Sequence, residues 1–379
     1  MLNYLFSFDP GILNYVAFLL TSMAIYGLMG LGLNLQWGFT GLINFGIAGF
    51  VAVGAYVTVI LSLTQVPIIL AMLAGGFVAA LFGLLMGFAT LRLREDYLAI
   101  VTIGASELVR LVFNNEELYD SRPGSMGING FPLPLESFRP TTFTRVGMVA
   151  IVTVIFGLAL WQLWQWANRR LKSAAQKQKV AITAVAVLAG LLGLRAYVVT
   201  AISLSNFRAN QAGNGLLFVA LIVTAIAFWV VERLIRSPWG RVLKAIREDE
   251  EIAKALGKNV FAYKLQSLMI GGFLTGIGGA LYAWQQSNVY PDNFRSNLTF
   301  NVWILMVLGG AGTNPGVLLG AVIFWMYTAL TRDLNQILPF PTVQIDAFRM
   351  VFIGLLLIGL MVWRPQGILG NRDELTLGK

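Results

Sequence analysis

The stretch GLNLQWGFTGLINFGIAGF, residues 32–50, lies inside the longest uncharged part of this chain. Between Asp9 and Arg92 there is not one charged residue. A buried helix in a soluble protein rarely needs more than about 14 unbroken apolar residues, whereas a helix that crosses a bilayer needs about 20. Within this long apolar sequence, the stretch places five glycines and three amide side chains. It therefore predicts membrane-spanning helices that are interrupted at this point.

The rest of the chain repeats the same pattern over 379 residues, of which 57% are apolar, with a mean hydropathy of +0.72. The short alternating segments of a β-barrel are absent. We predict an all-α polytopic membrane protein, a single transmembrane domain over 1–379 with about ten transmembrane segments. The apolar runs are 12–33, 41–63, 67–91, 98–113, 146–166, 180–200, 215–235, 264–286, 301–331 and 346–363. The run 301–331 contains GGAGTNPG at 309–316, which predicts two half-helices that turn back on each other.

The composition excludes several kinds of chemistry. The chain has no Cys and no His, which removes disulfides, thiol nucleophiles, haem ligation and most zinc sites. No P-loop pattern occurs, and no nucleophile–base set is visible. We therefore expect no enzyme activity, no cofactor and no metal. The net charge of +9 is interpreted as membrane topology and not as nucleic-acid binding.

Basic residues divide unequally between the two sets of loops. One set carries 18 of them, in Arg92 and Arg94, 167–179, 232–264 and 364–379. The other set carries 6, in 114–145, 201–214, 287–300 and 332–345. Cytoplasmic loops collect Lys and Arg. We therefore expect a cytoplasmic loop at 236–263, a cytoplasmic C-terminus and an extracytoplasmic loop at 114–145.

Two Gly-rich interruptions occupy corresponding positions in the two halves, at 32–50 and at 300–321. Paired broken segments of this kind point to a transport pathway at a repeat interface, although glycines can also serve only close helix packing. Neutral amides beside them can bind a zwitterion or satisfy neighbouring backbone. Glu107 and Arg110 are three residues apart on one helix face and form either a pathway contact or an ion pair that fixes packing. The candidate pathway residues are Asn34, Gln36, Gly38, Gly41, Asn44, Gly46, Glu107, Arg110, Gly309, Gly310, Gly312 and Thr313.

The segment AIREDEEIAKALG, residues 245–257, is densely charged in an otherwise apolar chain. Ser237 and Pro238 predict the start of one short helix, Asp249 caps a second one, and Gly257 closes it. Each helix is too short to be stable alone in water, so something must pack on it.

The sequence SPWGRVLKAIREDEEIAKALGKNVFAYKLQSLMIGGFLTGIGGALYA, residues 237–283, resembles the coupling loop and following helix of the permease subunits of branched-chain amino acid ABC importers. The resemblance continues through LRLREDYLAIVTIGASELVRLV (91–112), MVLGGAGTNPGVLLGA (306–321) and WRPQGILG (363–370). It departs from the family at Glu95 and Ile47, where glycine and histidine are common. The resemblance implies that the loop docks on a separate ATPase subunit. The candidate coupling residues that it implies are Ala245, Arg247, Glu248, Asp249, Glu250, Glu251, Ala253, Leu256 and Gly257.

This resemblance implies a transmembrane permease of an ATP-driven importer for branched-chain or other neutral amino acids. It also implies the partners: a second related permease, two cytoplasmic ATPase subunits, an extracytoplasmic binding protein and the lipid of a prokaryotic inner membrane. Two alternatives stay open. One is an importer permease for urea or short amides, and the other is an ion-coupled secondary transporter with Glu107 as its ion-binding carboxylate.

Overall fold

The computed structural model describes residues 10–91, 95–119, 122–173, 176–333, 342–363 and 367–370. The chain begins with α1 (Pro10–Leu33), which continues into one π-helical turn, Asn34–Gly38. The helices that follow are α2 (Ile47–Leu63), α3 (Ile68–Thr90), α4 (Glu95–Asn115), α5 (Thr142–Ser173), α6 (Gln176–Ser205), α7 (Gln211–Arg236), α8 (Pro238–Glu248), α9 (Glu250–Ala255), α10 (Val260–Gln286), α11 (Ser296–Gly309), α12 (Asn314–Asp333) and α13 (Thr342–Trp363).

Seven helices of the described residues are long and apolar enough to cross a membrane. They are Pro10–Gly38, Ile68–Thr90, Tyr97–Asn115, Thr142–Gln165, Gln211–Arg236, Val260–Gln286 and Asn314–Arg332. Two shorter apolar helices, Ile47–Leu63 and Ala189–Ser205, accompany them. The polytopic helical fold is confirmed, and the expected number of about ten spans was an approximation. The predicted basic positions Arg92 and Arg94, and the tail 364–379 apart from 367–370, lie outside the described residues.

The described chain forms two compact units, and the larger comprises 22–132 and 226–379. Its centre is α10 packed against α2 and α3. Helices in lipid gain little from the hydrophobic effect, so small residues that let backbones approach closely stabilise their packing. Gly54 and Gly276 meet at such a point, where a Cβ on either glycine would overlap its surroundings.

The smaller unit comprises 1–21 and 133–225. Its helices α5 and α6 pack against each other along their length. A buried apolar cluster stabilises the unit and consists of Met148, Val152, Leu204 and Phe207. The prediction of one domain over 1–379 stays a prediction.

The described residues contain two pairs of short strands, which lie in the segments between helices. The pair β1 (Glu117–Tyr119) and β2 (Arg122–Pro123) is antiparallel, and so is the pair β3 (Ile128–Asn129) and β4 (Asn288–Val289). The second pair joins the loop after α4 to the loop after α10. Composition gave no indication of this pairing, because each strand is only two or three residues long.

Candidate functional site: the interrupted helices and the charged stub

The first interruption begins where α1 changes to π-helical geometry. Phe39 N donates to Asn34 O at 3.0 Å, which is the wider spacing of a π-turn. The chain then runs without helix from Gly41, whose φ of +83° favours glycine, to Gly46. The predicted apolar run 41–63 therefore becomes helical only at Ile47. Interruptions of this kind are frequent at functional sites.

The second interruption lies between α11 and α12. Gly310 and Gly312 have φ values of +117° and +78°, which residues with a side chain rarely adopt. A Cβ on Gly309 would overlap the backbone of Gly316, so the two half-helices cross at a distance that only glycine permits. The predicted break is confirmed, and the chain turns back at 310–313. The second helix of this hairpin is not a short half, because α12 has 20 residues and is long enough to cross a membrane.

Asn34 joins the two interruptions. Its Oδ1 accepts a hydrogen bond from Gly312 N at 2.8 Å, and its Nδ2 donates to Asn314 Oδ1 at 3.0 Å. Asn314 in turn donates to Glu232 Oε2 at 2.9 Å, which extends the network to the end of α7. Asn34 and Asn314 are both buried. One side chain thus supplies partners for backbone and amide groups that the broken helices leave unpaired.

Gln36 and Asn44 hold the first interruption in its folded shape. Asn44 Nδ2 donates to Gln36 Oε1 at 2.8 Å, and Asn44 Oδ1 accepts from Gly46 N at 2.7 Å. Gln36 Nε2 donates to Leu268 O on α10 at 3.2 Å. Together with Asn34 and Asn314, these residues form a cluster that we call the amide junction.

The amide junction is closed in this conformation. All four side chains are buried, and each has hydrogen-bond partners within the chain. Any ligand that enters must therefore replace bonds that the chain makes with itself. Neutral amides can do this at low cost, since they both donate and accept. The assignment of these residues to a substrate pathway stays a prediction.

The residues after α13 also meet the tip of the broken hairpin. Ile368 N donates to Leu308 O at 3.2 Å, and Leu369 N donates to Gly309 O at 2.9 Å. These carbonyls end α11 and have no partner within their own helix. The hairpin tip and the segment 367–370 therefore lie at the same end of the larger unit.

The charged stub, residues 238–257, consists of α8 and α9 with the turn that follows. Asp249 Oδ1 accepts from Glu251 N at 2.9 Å and from Ile252 N at 3.0 Å, which confirms the predicted cap. Gly257 closes the stub with a φ of +74°. Ser237 occupies the predicted cap position of α8, but its hydroxyl donates to Leu234 O at 2.6 Å and does not cap the helix.

Two features attach the stub to the larger unit. Ile246 and Ala253 form a buried apolar cluster with Val260 at the start of α10. Glu250 also accepts a charge-assisted hydrogen bond from the buried Lys264 on α10. Burial raises the pKa of the Glu250 carboxyl, but hydrogen bonds from Lys264 and Lys254 outweigh it and hold that pKa below its ordinary value of 4.5.

Arg247 connects the stub to the first interruption. Its Nη1 donates to the carbonyl oxygen of Gly38, the last residue of the π-turn. Its Nη2 also binds Glu248 Oε1 at 2.8 Å. Two large apolar side chains of the stub, Ile252 and Leu256, are exposed. The stub therefore has one face bound to the chain and one face open to a partner.

Glu107 and Arg110 form the predicted pair at the other end of the larger unit. Arg110 Nε donates to both carboxylate oxygens of Glu107, at 3.0 and 3.1 Å, and Arg110 Nη1 donates to Asp292 Oδ1 at 3.0 Å. Asp292 also binds Arg295 at 2.8 Å. The four charges balance, so the network carries no net charge. A recess of about 230 Å³ beside it is lined in part by Asp292 and Tyr282.

The family of the chain follows from a comparison with known proteins. Residues 15–168 and 138–361 each match the family described as "Branched-chain amino acid transport system / permease component". The two matches together span both interruptions and the charged stub. The chain belongs to this family. Among the residues that the structure describes, no three or more Asp and Glu side chains lie close enough to hold a metal ion.

Three known permeases are similar in sequence to this permease over most of its length. It is 31% identical to the high-affinity branched-chain amino acid transport system permease protein LivM of Salmonella typhimurium, over 94% of the permease and 71% of LivM. It is 25% identical to the probable LivM of Methanocaldococcus jannaschii, over 96% of each chain. It is 24% identical to the nucleoside ABC transporter permease protein NupC of Lactococcus lactis, over 78% of the permease and 75% of NupC. No solved structure matches the permease.

Sequence reasoning missed several partners in this permease. Asn314 was not among the predicted pathway residues, although it directly follows the predicted turn. Lys264 was counted only among the basic loop residues, and Glu232 and Asp292 were not singled out. Lys264 lies three residues before Ser267, whose hydroxyl donates to Leu35 O at 3.1 Å. The wide spacing in sequence between these residues and their partners gave no pattern to find.

Proposed function

We propose that the chain is the transmembrane permease of an ATP-driven importer for branched-chain or other neutral amino acids. The observation that carries this proposal is the similarity to LivM of Salmonella typhimurium over 94% of the chain. The chain moves its substrate by alternating access and changes no covalent bond. The two interruptions are in contact with each other, and the stub is in contact with the first of them. A transporter driven by separate subunits needs such a connection.

The proposed assembly contains a second related permease, two ATPase subunits and an extracytoplasmic binding protein. The exposed face of the charged stub suits the ATPase subunit, because it offers Ile252 and Leu256 between charged residues. A short helix of this kind depends on packing against other parts of the assembly for its stability. The 18 basic residues on the same set of loops favour a cytoplasmic stub and C-terminus in a prokaryotic inner membrane.

The amide junction suits a zwitterionic substrate. An amino acid carries a carboxylate and an ammonium group, and backbone dipoles with neutral amides can serve both without a full counter-charge. In the proposed pathway, the junction opens during transport and its amides exchange their bonds within the chain for bonds to the substrate. Gly38, Gly310 and Gly312 would then let the substrate approach the backbone closely.

Transport by the reconstituted assembly tests the function. The permease is placed in proteoliposomes with its partner permease, ATPase subunits and binding protein, and uptake of labelled leucine is measured with and without ATP inside. We expect ATP-dependent uptake that unlabelled leucine and alanine inhibit. Inhibition by urea or by a nucleoside alone would assign a different substrate class. Uptake that follows a proton or sodium gradient without ATP would contradict the proposal. The ion-coupled alternative lacks support from geometry, because Glu107 is bound to Arg110.

A further inference from the structure

Arg247 faces the protein and not the exposed side of the stub. Its side chain is 22% exposed, whereas that of Glu251 is 82% exposed. The guanidinium donates to Gly38 O across 209 positions of sequence. A hydrogen bond from a charged donor is stronger than one between neutral groups, and this one lies in a part-buried position where water competes poorly.

The first interruption wraps around the same side chain. A Cβ on Gly41 would lie 3.3 Å from Arg247 Cγ, so the backbone of Gly41 is in contact with the aliphatic stem. One turn earlier on α8, Lys244 Nζ lies 5.6 Å from the ring centre of Phe39, within the range of a cation–π contact. The end of α8 is therefore bound to the segment 38–41 at three points.

From Gly38 the contact continues to the second interruption. A Cβ on Gly38 would come within 2.6 Å of Gly312 N, which is the same group that donates to Asn34 Oδ1. The backbones thus touch without room for a side chain. Packed groups of this kind have discrete arrangements and do not deform continuously, so a shift at Gly38 must be transmitted or the contact must break.

We propose that Arg247 is a positioning residue that couples movement of the charged stub to both interrupted segments. When the stub moves, the guanidinium pulls on the Gly38 carbonyl, and Gly38 displaces Gly312 and the bonds of Asn34. The inference rests on the proposed function, since ATPase subunits supply the movement. It assigns Arg247 to the inner side of the linkage and leaves the exposed face of the stub for docking.

The test uses the complete importer with Arg247→Ala, the conservative Arg247→Lys, and Lys258→Ala as a control. Lys258 is an exposed cation just beyond the stub. Three quantities are measured: copurification of the ATPase subunits, the rate of ATP hydrolysis, and uptake of leucine. The deciding quantity is the number of ATP molecules hydrolysed for each leucine transported.

We expect Arg247→Ala to retain its ATPase subunits and its hydrolysis, while the ATP used per leucine rises about tenfold, the factor that corresponds to one lost hydrogen bond to a charged group. Arg247→Lys restores part of the coupling, and Lys258→Ala leaves the ratio unchanged. A merely structural role would lower yield, hydrolysis and uptake together at a constant ratio. Where Arg247→Ala gives too little protein, the ratio in Arg247→Lys decides.

Two results would overturn the inference. One is an unchanged ratio in a folded Arg247 variant, and the other is loss of the ATPase subunits from Arg247→Ala, which would place this residue in the docking surface. Failure of the proposed function looks different, because the wild-type chain itself would then show no ATPase copurification or no ATP-dependent uptake.

Discussion

Asn34 Oδ1 accepts a hydrogen bond from Gly312 N at 2.8 Å, although 278 positions of sequence separate the two residues. The bond joins a π-turn at the end of one helix to the turn of a broken hairpin. Irregular backbone at membrane depth is tolerated where protein or a cavity surrounds it. A buried side chain that pairs with an unbonded backbone N–H meets this requirement, so the two interruptions stabilise each other.

The first prediction concerns the pair Asn34 and Asn314. Replacing either by Ala leaves buried polar groups unpaired, and each change should lower the free energy of unfolding by about 1–3 kcal/mol. Because the two amides share a hydrogen bond, the double variant should lose less than the sum, with a coupling of about 0.5–1.5 kcal/mol. Unfolding in mixed micelles measures both. Asn115→Ala, at an exposed position, serves as the control and should change little; strict additivity would contradict the geometry.

The second prediction concerns the network of Arg110. Arg110→Ala should lower stability by about 1 kcal/mol or more, because it leaves the carboxylates of Glu107 and Asp292 side by side. Glu107→Ala should cost less, because Arg110 keeps Asp292 as its partner. Removing both Glu107 and Arg110 should recover most of the loss, since Asp292 then pairs with Arg295.

Thermal unfolding in detergent, with Glu116→Ala as an exposed control, tests this order. The decisive result is a larger loss of stability in Arg110→Ala than in Glu107→Ala. This order is expected because the Arg110 side chain is only 17% exposed, whereas that of Glu107 is 43% exposed. Single variants that fold normally and yet lose uptake would place the pair in the pathway.

Local patterns in the sequence were enough to predict the helical membrane fold, the broken hairpin and the two short helices of the stub. Each of these features depends on residues that are close in sequence. Apolar runs predicted the membrane helices, the glycines at 309–312 predicted the hairpin, and Asp249 predicted the start of the second stub helix. The start of α2 was predicted six residues too early, because Leu42, Ile43 and Phe45 are apolar but lie in a loop. Buried loops and buried helices are both rich in apolar residues, so hydropathy alone cannot separate a loop from a helix.

The partners in the site could not be predicted, because they depend on how distant segments pack. Asn34 was predicted either to bind substrate or to satisfy neighbouring backbone, and nothing in the sequence named Gly312 and Asn314 as the partners of its amide. Arg247 was predicted as a coupling residue, and nothing in the sequence named Gly38 as its partner. An isolated amide or guanidinium has the same chemistry in both roles, so only its neighbours in space decide.

The third prediction concerns pH and Glu250. A carboxyl whose pKa is lower in the folded state stabilises that state above its unfolded pKa, and the contribution is lost as the pH falls through the folded value. The hydrogen bonds from Lys264 and Lys254 lower the pKa of Glu250 below 4.5, so attachment of the stub should weaken only below that pH. Hydrogen exchange of the α9 amides, corrected for intrinsic rates, should show this loss of protection.

The variants Glu250→Gln and Glu251→Gln make the third prediction specific. Glu250→Gln should lower the protection of α9 at neutral pH to the level that the wild type reaches in acid. Glu251→Gln should behave as the wild type, because the Glu251 side chain is exposed and binds only within the stub, at Lys254. Equal effects of the two variants would show that the Lys264 contact does not attach the stub.

The fourth prediction concerns the exposed face of the stub. Ile252→Glu or Leu256→Glu should abolish copurification of the ATPase subunits, because each places a charge in an apolar contact. Neither change should alter thermal unfolding of the permease alone, since both side chains are exposed there. Lys258→Ala, at an exposed position beyond the stub, provides the control. Retention of the ATPase subunits in both Glu variants would place the docking surface elsewhere on the permease.

The last prediction concerns movement of the two interruptions during transport. The chain has no Cys, so single cysteines can be introduced without background. In this conformation Asn44 is buried, whereas Thr313 is partly exposed at the turn of the hairpin. Asn44→Cys should therefore stay unreactive toward a small polar thiol reagent at rest and react while ATP is hydrolysed, because the amide junction then opens. Thr313→Cys should react in both states, and transported substrate should protect both positions.

Two further cysteines calibrate this experiment. Ser62→Cys lies at a buried position of α2 away from the junction and should stay unreactive in every state. Thr64→Cys lies at an exposed position just beyond that helix and should react in every state. A reactivity of Asn44→Cys that rises with hydrolysis, while Ser62→Cys stays silent, would show that the junction opens selectively and not through general loosening. If Asn44→Cys stayed unreactive in an importer that still transports leucine, the pathway would run elsewhere and the glycines of both interruptions would serve packing alone.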